Sequence, residues 1–187
     1  MTVLEILKLV SLYLNLYDNF SPIFSGSTTL SKTEDQQELN KVLVAINTTT
    51  KSLSCLYKLK FQEEITFVDN TFDALLLSKK LNKIISIKNK MGNKIPFKIV
   101  ANKITCSYCG VATIEYFYFP NEAENLNDNI DLNSVICPKT FAMGVVSEYC
   151  YINNLFDDAA VWEERFLKSL NKKALSNSVV LPKRNWA

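Results

Sequence analysis

The chain has 187 residues, 48% of them hydrophobic, and a formal net charge of +2. That is long enough for one domain with a sizeable core, and too nearly neutral to present a nucleic-acid surface by charge alone. It has no histidine and only 4 glycines, which removes the commonest general base, the commonest transition-metal ligand and any glycine-rich phosphate loop.

Three further exclusions follow. The start, Met1-Thr2-Val3-Leu4-Glu5-Ile6-Leu7-Lys8, lacks a basic leader region and a small-residue cleavage site, so no signal peptide is expected. No apolar run reaches the ~18 residues of a membrane span, so no membrane partner is expected. The 5 cysteines, an odd number without a secretion signal, predict reduced thiols.

In chain order, the spacing of Val3, Ile6, Leu7, Val10, Leu14 and Tyr17 predicts a helix over about 2–17. Thr2 and Glu5 form a capping box at its start. Leu4, Leu9, Leu12 and Leu16 widen the apolar face, so cover on more than one side is expected. Ser21-Pro22 and Ser25-Gly26-Ser27 predict a loop over Asn19–Thr29. A second helix is expected over about 31–58 through Leu39, Val42, Leu43, Ile46, Leu53 and Leu56. The β-branched run Thr48-Thr49-Thr50 argues against helix at that point.

From Phe61 the pattern turns strand-like. Ile65-Thr66-Phe67-Val68 predicts a strand, Asp69-Asn70 a turn, and Lys83–Lys88 another strand. Lys90-Met91-Gly92-Asn93 predicts a hairpin turn into Ile95–Val100, with Pro96 placing that segment at a sheet edge. Ile104–Cys106 and Val111–Phe119 predict a second hairpin across Ser107-Tyr108-Cys109-Gly110. Both faces of Val111–Phe119 are largely apolar, which predicts a central or doubly covered strand. Pro120 ends it. Asn121–Asn133 reads as an acidic, solvated connection.

Pro138 opens a helix over about 138–154, and Asp157-Asp158 open another over about 157–174. Asp157 and Asp158 at its start, and Lys168, Lys172 and Lys173 late, match the helix dipole; with Glu163 and Glu164 they read as caps and solvated charge rather than acid–base chemistry. Trp162, Phe166 and Leu170 form one stripe, expected to pack on the Phe141, Val145, Glu148-Tyr149, Ile152 face of the preceding helix. Residues 175–187 read as an extended tail. Val179, Val180, Leu181, Pro182, Arg184 and Trp186 are its candidate partner or oligomer-interface residues, Trp186 the anchor.

The expected class is therefore α+β: one domain over 1–187, a mainly helical body of two N-terminal and two C-terminal helices, a central antiparallel β insert over about 61–120, and the tail. Cys106-Ser107-Tyr108-Cys109 is a lone CxxC. Its low-ranked metal reading is a four-cysteine zinc site with Cys137 and Cys150, or with Cys55, whose spacings do not form a second CxxC. A small zinc-binding or thiol-dependent protein built on Cys106 and Cys109 is the alternative function.

The layout carries a resemblance. Two N-terminal helices lead to an aromatic β insert ending in Tyr116-Phe117-Tyr118-Phe119-Pro120. An acidic loop follows, then a helix opened by Pro138, then Asp157-Asp158-Ala159-Ala160-Val161-Trp162-Glu163-Glu164-Arg165-Phe166. This order resembles the head-to-tail adaptor proteins, portal-ring or tail-tubular, of tailed and especially short-tailed bacteriophages. The resemblance implies a structural virion protein with no catalysis and no cofactor, assembled in the host cytoplasm. It implies a homo-oligomeric ring, commonly a dodecamer, seated on a portal protein and followed by the next tail or ring protein. Double-stranded DNA would pass through the lumen without sequence readout. The tail, by position Val179–Trp186, would lie against the portal or a neighbouring subunit.

Overall fold

The computed structural model describes residues 1–27, 30–132 and 136–174. Among them are five α-helices and two three-stranded antiparallel sheets, an α+β chain. The sequence suggests one domain with a β insert. The backbone contacts gather into two compact units, Tyr57–Asn121 being one and Met1–Leu56 with the chain from Glu122 the other.

The helical unit begins with α1, Val3–Tyr13. The Thr2–Glu5 capping box forms as expected, each side chain accepting the other residue's backbone amide at 3.2 and 2.8 Å. Val3, Ile6, Leu7 and Val10 are buried, but Leu12 stays 59% exposed, so cover does not extend round the helix. The single helix expected over 2–17 breaks at Asn15, which adopts a left-handed φ of 60°. The Leu16 amide then reaches back to the Ser11 carbonyl at 2.8 Å and closes the end.

The loop expected over Asn19–Thr29 is largely a helix, α2, Tyr17–Phe24, with Pro22 inside it. Pro22 has no N–H for the Asp18 carbonyl, and the Ser21 hydroxyl donates to that carbonyl at 2.9 Å instead. Three helices therefore precede the β insert, not two.

The third is α3, Thr33–Tyr57, close to the expected span. Its Thr48-Thr49-Thr50 run is helical, and each hydroxyl satisfies itself within the helix by donating to the carbonyl four residues back, at 2.7–2.9 Å. Thr49 and Thr50 are buried beside Leu39, Val42, Ile46 and Leu53. The remaining helices are α4, Pro138–Ile152, and α5, Phe156–Ala174.

The connection before α4 is solvent-exposed as expected, at Glu122, Glu124, Asn125, Asn127 and Asn129, and is also tied to the helices by hydrogen bonds. The Asn47 side chain accepts the Ala123 amide at 2.9 Å and donates to the Ala123 carbonyl at 3.0 Å. The amides of Val3 and Leu4, free at the start of α1, donate to the carbonyls of Asp128 and Leu126. The Asp128 carboxylate accepts the amides of Glu124 and Asn125, and these bonds hold it below the usual carboxylate range.

The β unit has strands β1 Lys60–Phe67, β2 Thr71–Asp73, β3 Lys80–Asn89, β4 Phe97–Val100, β5 Lys103–Cys106 and β6 Gly110–Phe119. One sheet has the order β1-β6-β3 and the other β2-β5-β4. The central place expected for β6 and the edge place expected for the Pro96 segment are both seen. Asp69 and Asn70, both with positive φ, form a tight two-residue turn between β1 and β2.

The hairpin expected across residues 107–110 does not form. Its two strands belong to different sheets, because β5 pairs with β2 and β4 while β6 pairs with β1 and β3. The turn at Lys90–Asn93 does close, with the Asn89 amide on the Asn93 carbonyl at 3.0 Å. Its ladder stops near the Lys88–Lys94 bridge. After Pro96 the chain leaves β3, and β4 turns through Ala101-Asn102 onto β5.

Candidate functional site

Cys106 is half-buried and its thiol donates to the Tyr108 carbonyl at 3.3 Å; Cys109 is exposed and donates to the Phe67 carbonyl at 3.4 Å. Both serve the turn between the sheets. Cys137 precedes the first residue of α4, and Cys150 is buried near its far end. At a rise of 1.5 Å per residue that puts about 20 Å between them. Burial, then the nearby Asp158 charge, push the Cys150 thiol up and away from its reactive form. Among the described residues no three His, Cys, Asp or Glu side chains gather as a metal site. Cys106, Cys109, Cys137 and Cys150 are therefore not one ligand set.

Two carboxylates sit in polar networks that no local sequence pattern reveals. In the β unit, Glu63 accepts from the Tyr116 hydroxyl at 2.5 Å, from the Ser78 hydroxyl at 2.5 Å and from the Ser78 amide at 3.0 Å. Burial first, and then Glu63, push the Tyr116 hydroxyl far above its usual range. In the helical unit, Glu38 on α3 accepts from the Tyr149 hydroxyl of α4 and from Lys41 at 2.7 Å, and Lys41 also donates to Asn153 at 2.8 Å. Burial of Glu38 opposes its ionisation, but the Lys41 and Tyr149 bonds and the Lys41 charge outweigh it and hold the carboxyl low. Glu63 is engaged by Ser78 and Tyr116 from other parts of the β unit, and Glu38 by Lys41 of its own helix and by Tyr149 of α4. They act as ties between elements.

The α4–α5 pair departs from the expected contact. The facing side chains of α4 are Thr140, Gly144, Ser147 and Tyr151, at helical spacing. Thr140 bonds Ser169 at 2.7 Å, Ser147 donates to the Ala159 carbonyl at 3.0 Å and Tyr151 donates to Glu163 at 3.0 Å. A Cβ on Gly144 would lie 2.9 Å from the Phe166 ring and 3.0 Å from the Thr49 methyl. Phe141 and Val145, expected on this seam, are fully buried. Trp162 stacks on Tyr13 of α1 at 5.1 Å, and the Arg165 guanidinium lies over the Trp162 ring at 4.8 Å.

Solvent-facing apolar side chains include Ile152, Leu155, Phe156 and Val161 where α4 turns into α5, 40–60% exposed, and Leu75, Leu76, Met91 and Val100 of the β unit, 65–87% exposed. Asp157 and Asp158 are exposed between Phe156 and Val161. The tail candidates Val179, Val180, Leu181, Pro182, Arg184 and Trp186 lie outside the described residues. No helix among the described residues is long and apolar enough to cross a membrane. No family model matches the chain, and no curated protein shows significant similarity to it.

Proposed function

We propose that this protein is a structural subunit of a head-to-tail connector ring in a tailed bacteriophage, standing between the portal and the next ring or tail protein. The observation that carries the reading is the construction of the chain. Helices from both sides of the sequence, α1–α3 and α4–α5, build one unit, and the β unit is inserted between α3 and α4. That construction resembles the layout of the adaptor proteins, with three N-terminal helices in place of the expected two. Exposed apolar side chains at the α4–α5 turn supply material for contacts between copies.

In this reading the protein works by shape and assembly, without catalysis or cofactor. Its place is the virion, after assembly in the host cytoplasm. Head-to-tail contacts between copies close into a ring only when the subunit rotation closes. DNA passes the lumen without base readout, so any contact is with phosphates and weakens with salt.

The test is to mix the purified full chain with the portal protein of the same virus and examine the product by native mass spectrometry and electron microscopy. A ring with an open centre, stacked on the portal, is the expected result. A chain that stays monomeric at every concentration and leaves the portal bare overturns it.

A further inference from the structure

The small net charge of the whole chain conceals a division. Tyr57–Asn121 carries ten lysines against five carboxylates, a net of +5, whereas the rest of the chain carries eleven cations against fourteen carboxylates, a net of −3. In the β unit part of this charge falls on one surface. Register pairs Phe117 of β6 with Lys60 of β1 on one side and Lys83 of β3 on the other, and pairs Phe119 with Lys80. Directly paired residues share a sheet face, so these five side chains stand together. The three lysines are exposed, Phe119 is 38% exposed and Phe117 is half-buried with Lys60 over its ring at 5.8 Å. Glu64 and Glu115 share the face further along. Glu115 is tied to Lys60 at 3.8 Å and to the Ser86 hydroxyl at 3.4 Å. The end carrying Phe117 and Phe119 is thus cationic and aromatic.

The α4–α5 turn has the opposite character. Leu155 and Phe156 are 47% and 60% exposed, Val161 is 48% exposed, and Asp157 and Asp158 are exposed beside them. Neither aspartate takes part in an ion pair among the described residues. One surface offers lysines around phenylalanines, and the other offers aspartates around a phenylalanine and two aliphatic side chains.

We propose that the Lys60–Lys80–Lys83–Phe117–Phe119 face of one copy receives the Phe156–Asp157–Asp158 turn of a second copy. The inference rests on the ring reading and supplies its contact. The two surfaces are different, so the contact is head-to-tail, the kind that propagates and can close into a ring. Opposite charge steers the encounter and sets the register, and the apolar side chains are desolvated when it forms.

The experiment uses full-length protein, with assembly followed by sedimentation velocity across concentration and salt. Wild-type assembly should weaken as salt rises. Lys60→Glu with Lys83→Glu should raise the midpoint assembly concentration about tenfold or more, and so should Asp157→Lys with Asp158→Lys. Phe156→Ala, which leaves the helix start intact, should weaken assembly as well. Circular dichroism checks that each variant is folded. Joining all four charge reversals in one chain should restore assembly, because the attraction returns with its sign exchanged, and an equimolar mixture of the two double variants should assemble for the same reason.

Wild-type rings that are indifferent to these substitutions, or a four-fold variant no better than either pair, overturn the docking face alone. So does a sheet variant that assembles normally while losing salt-dependent binding to a random-sequence DNA duplex, which gives the face to nucleic acid. Wild-type protein that never self-associates overturns the ring reading and the face with it.

Discussion

Gly144 lies where α4 meets both α3 and α5, and a methyl group there would press on Phe166 and Thr49. Alanine is the better helix former by about 1 kcal/mol, yet overpacking of a tight core costs about 1–3 kcal/mol. Gly144→Ala should therefore lower the melting temperature, and Phe166→Leu in the same chain should recover part of the loss; a raised melting temperature for the single variant would refute the close crossing. Glu38 makes a different kind of contribution. Its folded carboxyl lies below its unfolded value of about 4.3, so its stabilisation is present above that value and is lost as pH falls through the folded one. Glu38→Gln should cost about 1 kcal/mol near neutral pH. It should also flatten the loss of stability below about pH 4, read by chemical denaturation at several pH values. The capping box of Thr2 and Glu5 was legible because both partners lie within one turn. Glu38 was not, because Tyr149 stands 111 positions away.

Among the elements, the errors of the sequence reading have definite local causes. α1 and α2 replace the expected single helix and loop because Asn15 adopts a left-handed φ and Pro22 is accommodated inside a helix. The Ser21 hydroxyl supplies the bond that the proline cannot. The Lys90–Asn93 turn was readable from its glycine, while the Ala101-Asn102 turn was not, since alanine seldom takes a φ of +46°. That residue offers a test: Ala101→Gly should raise the stability of the β unit by about 0.5–1 kcal/mol if relief of the left-handed strain exceeds the added chain entropy. A destabilised variant would count against the two-residue turn. The connection before α4 makes its own prediction. Asn47→Ala removes both bonds to Ala123, so amide exchange at Ala123 should accelerate while the amides of β6 are unaffected.

At the scale of the whole molecule, the chain is two compact units joined by two crossings, with the tail beyond Ala174. If residues 177–187 serve as an interface segment, as the connector reading has it, a protein lacking Asn177–Ala187 should keep its helical circular dichroism and its melting temperature. Under the connector reading it should bind the portal more weakly, at least tenfold by the usual weight of a tryptophan or arginine anchor, about 1.4 kcal/mol or more. Portal binding equal to that of the full chain would remove the tail from the interface. Charge at this scale was also hidden, because a net of +2 conceals a basic β unit and an acidic helical one.

The sequence by itself determined the α+β class, the helices on either side of the β insert apart from α2, the central β6 and the capping box of α1. These follow from periodicity, propensity and capping, which act over a few residues. Only the tertiary structure decided which strands share a sheet, that small residues of α4 meet α5, and that Trp162 rests on Tyr13. Those outcomes depend on the distance between groups far apart in the chain. The same holds for the face that Lys60, Lys80, Lys83, Phe117 and Phe119 share, because strand register brings three separate segments together.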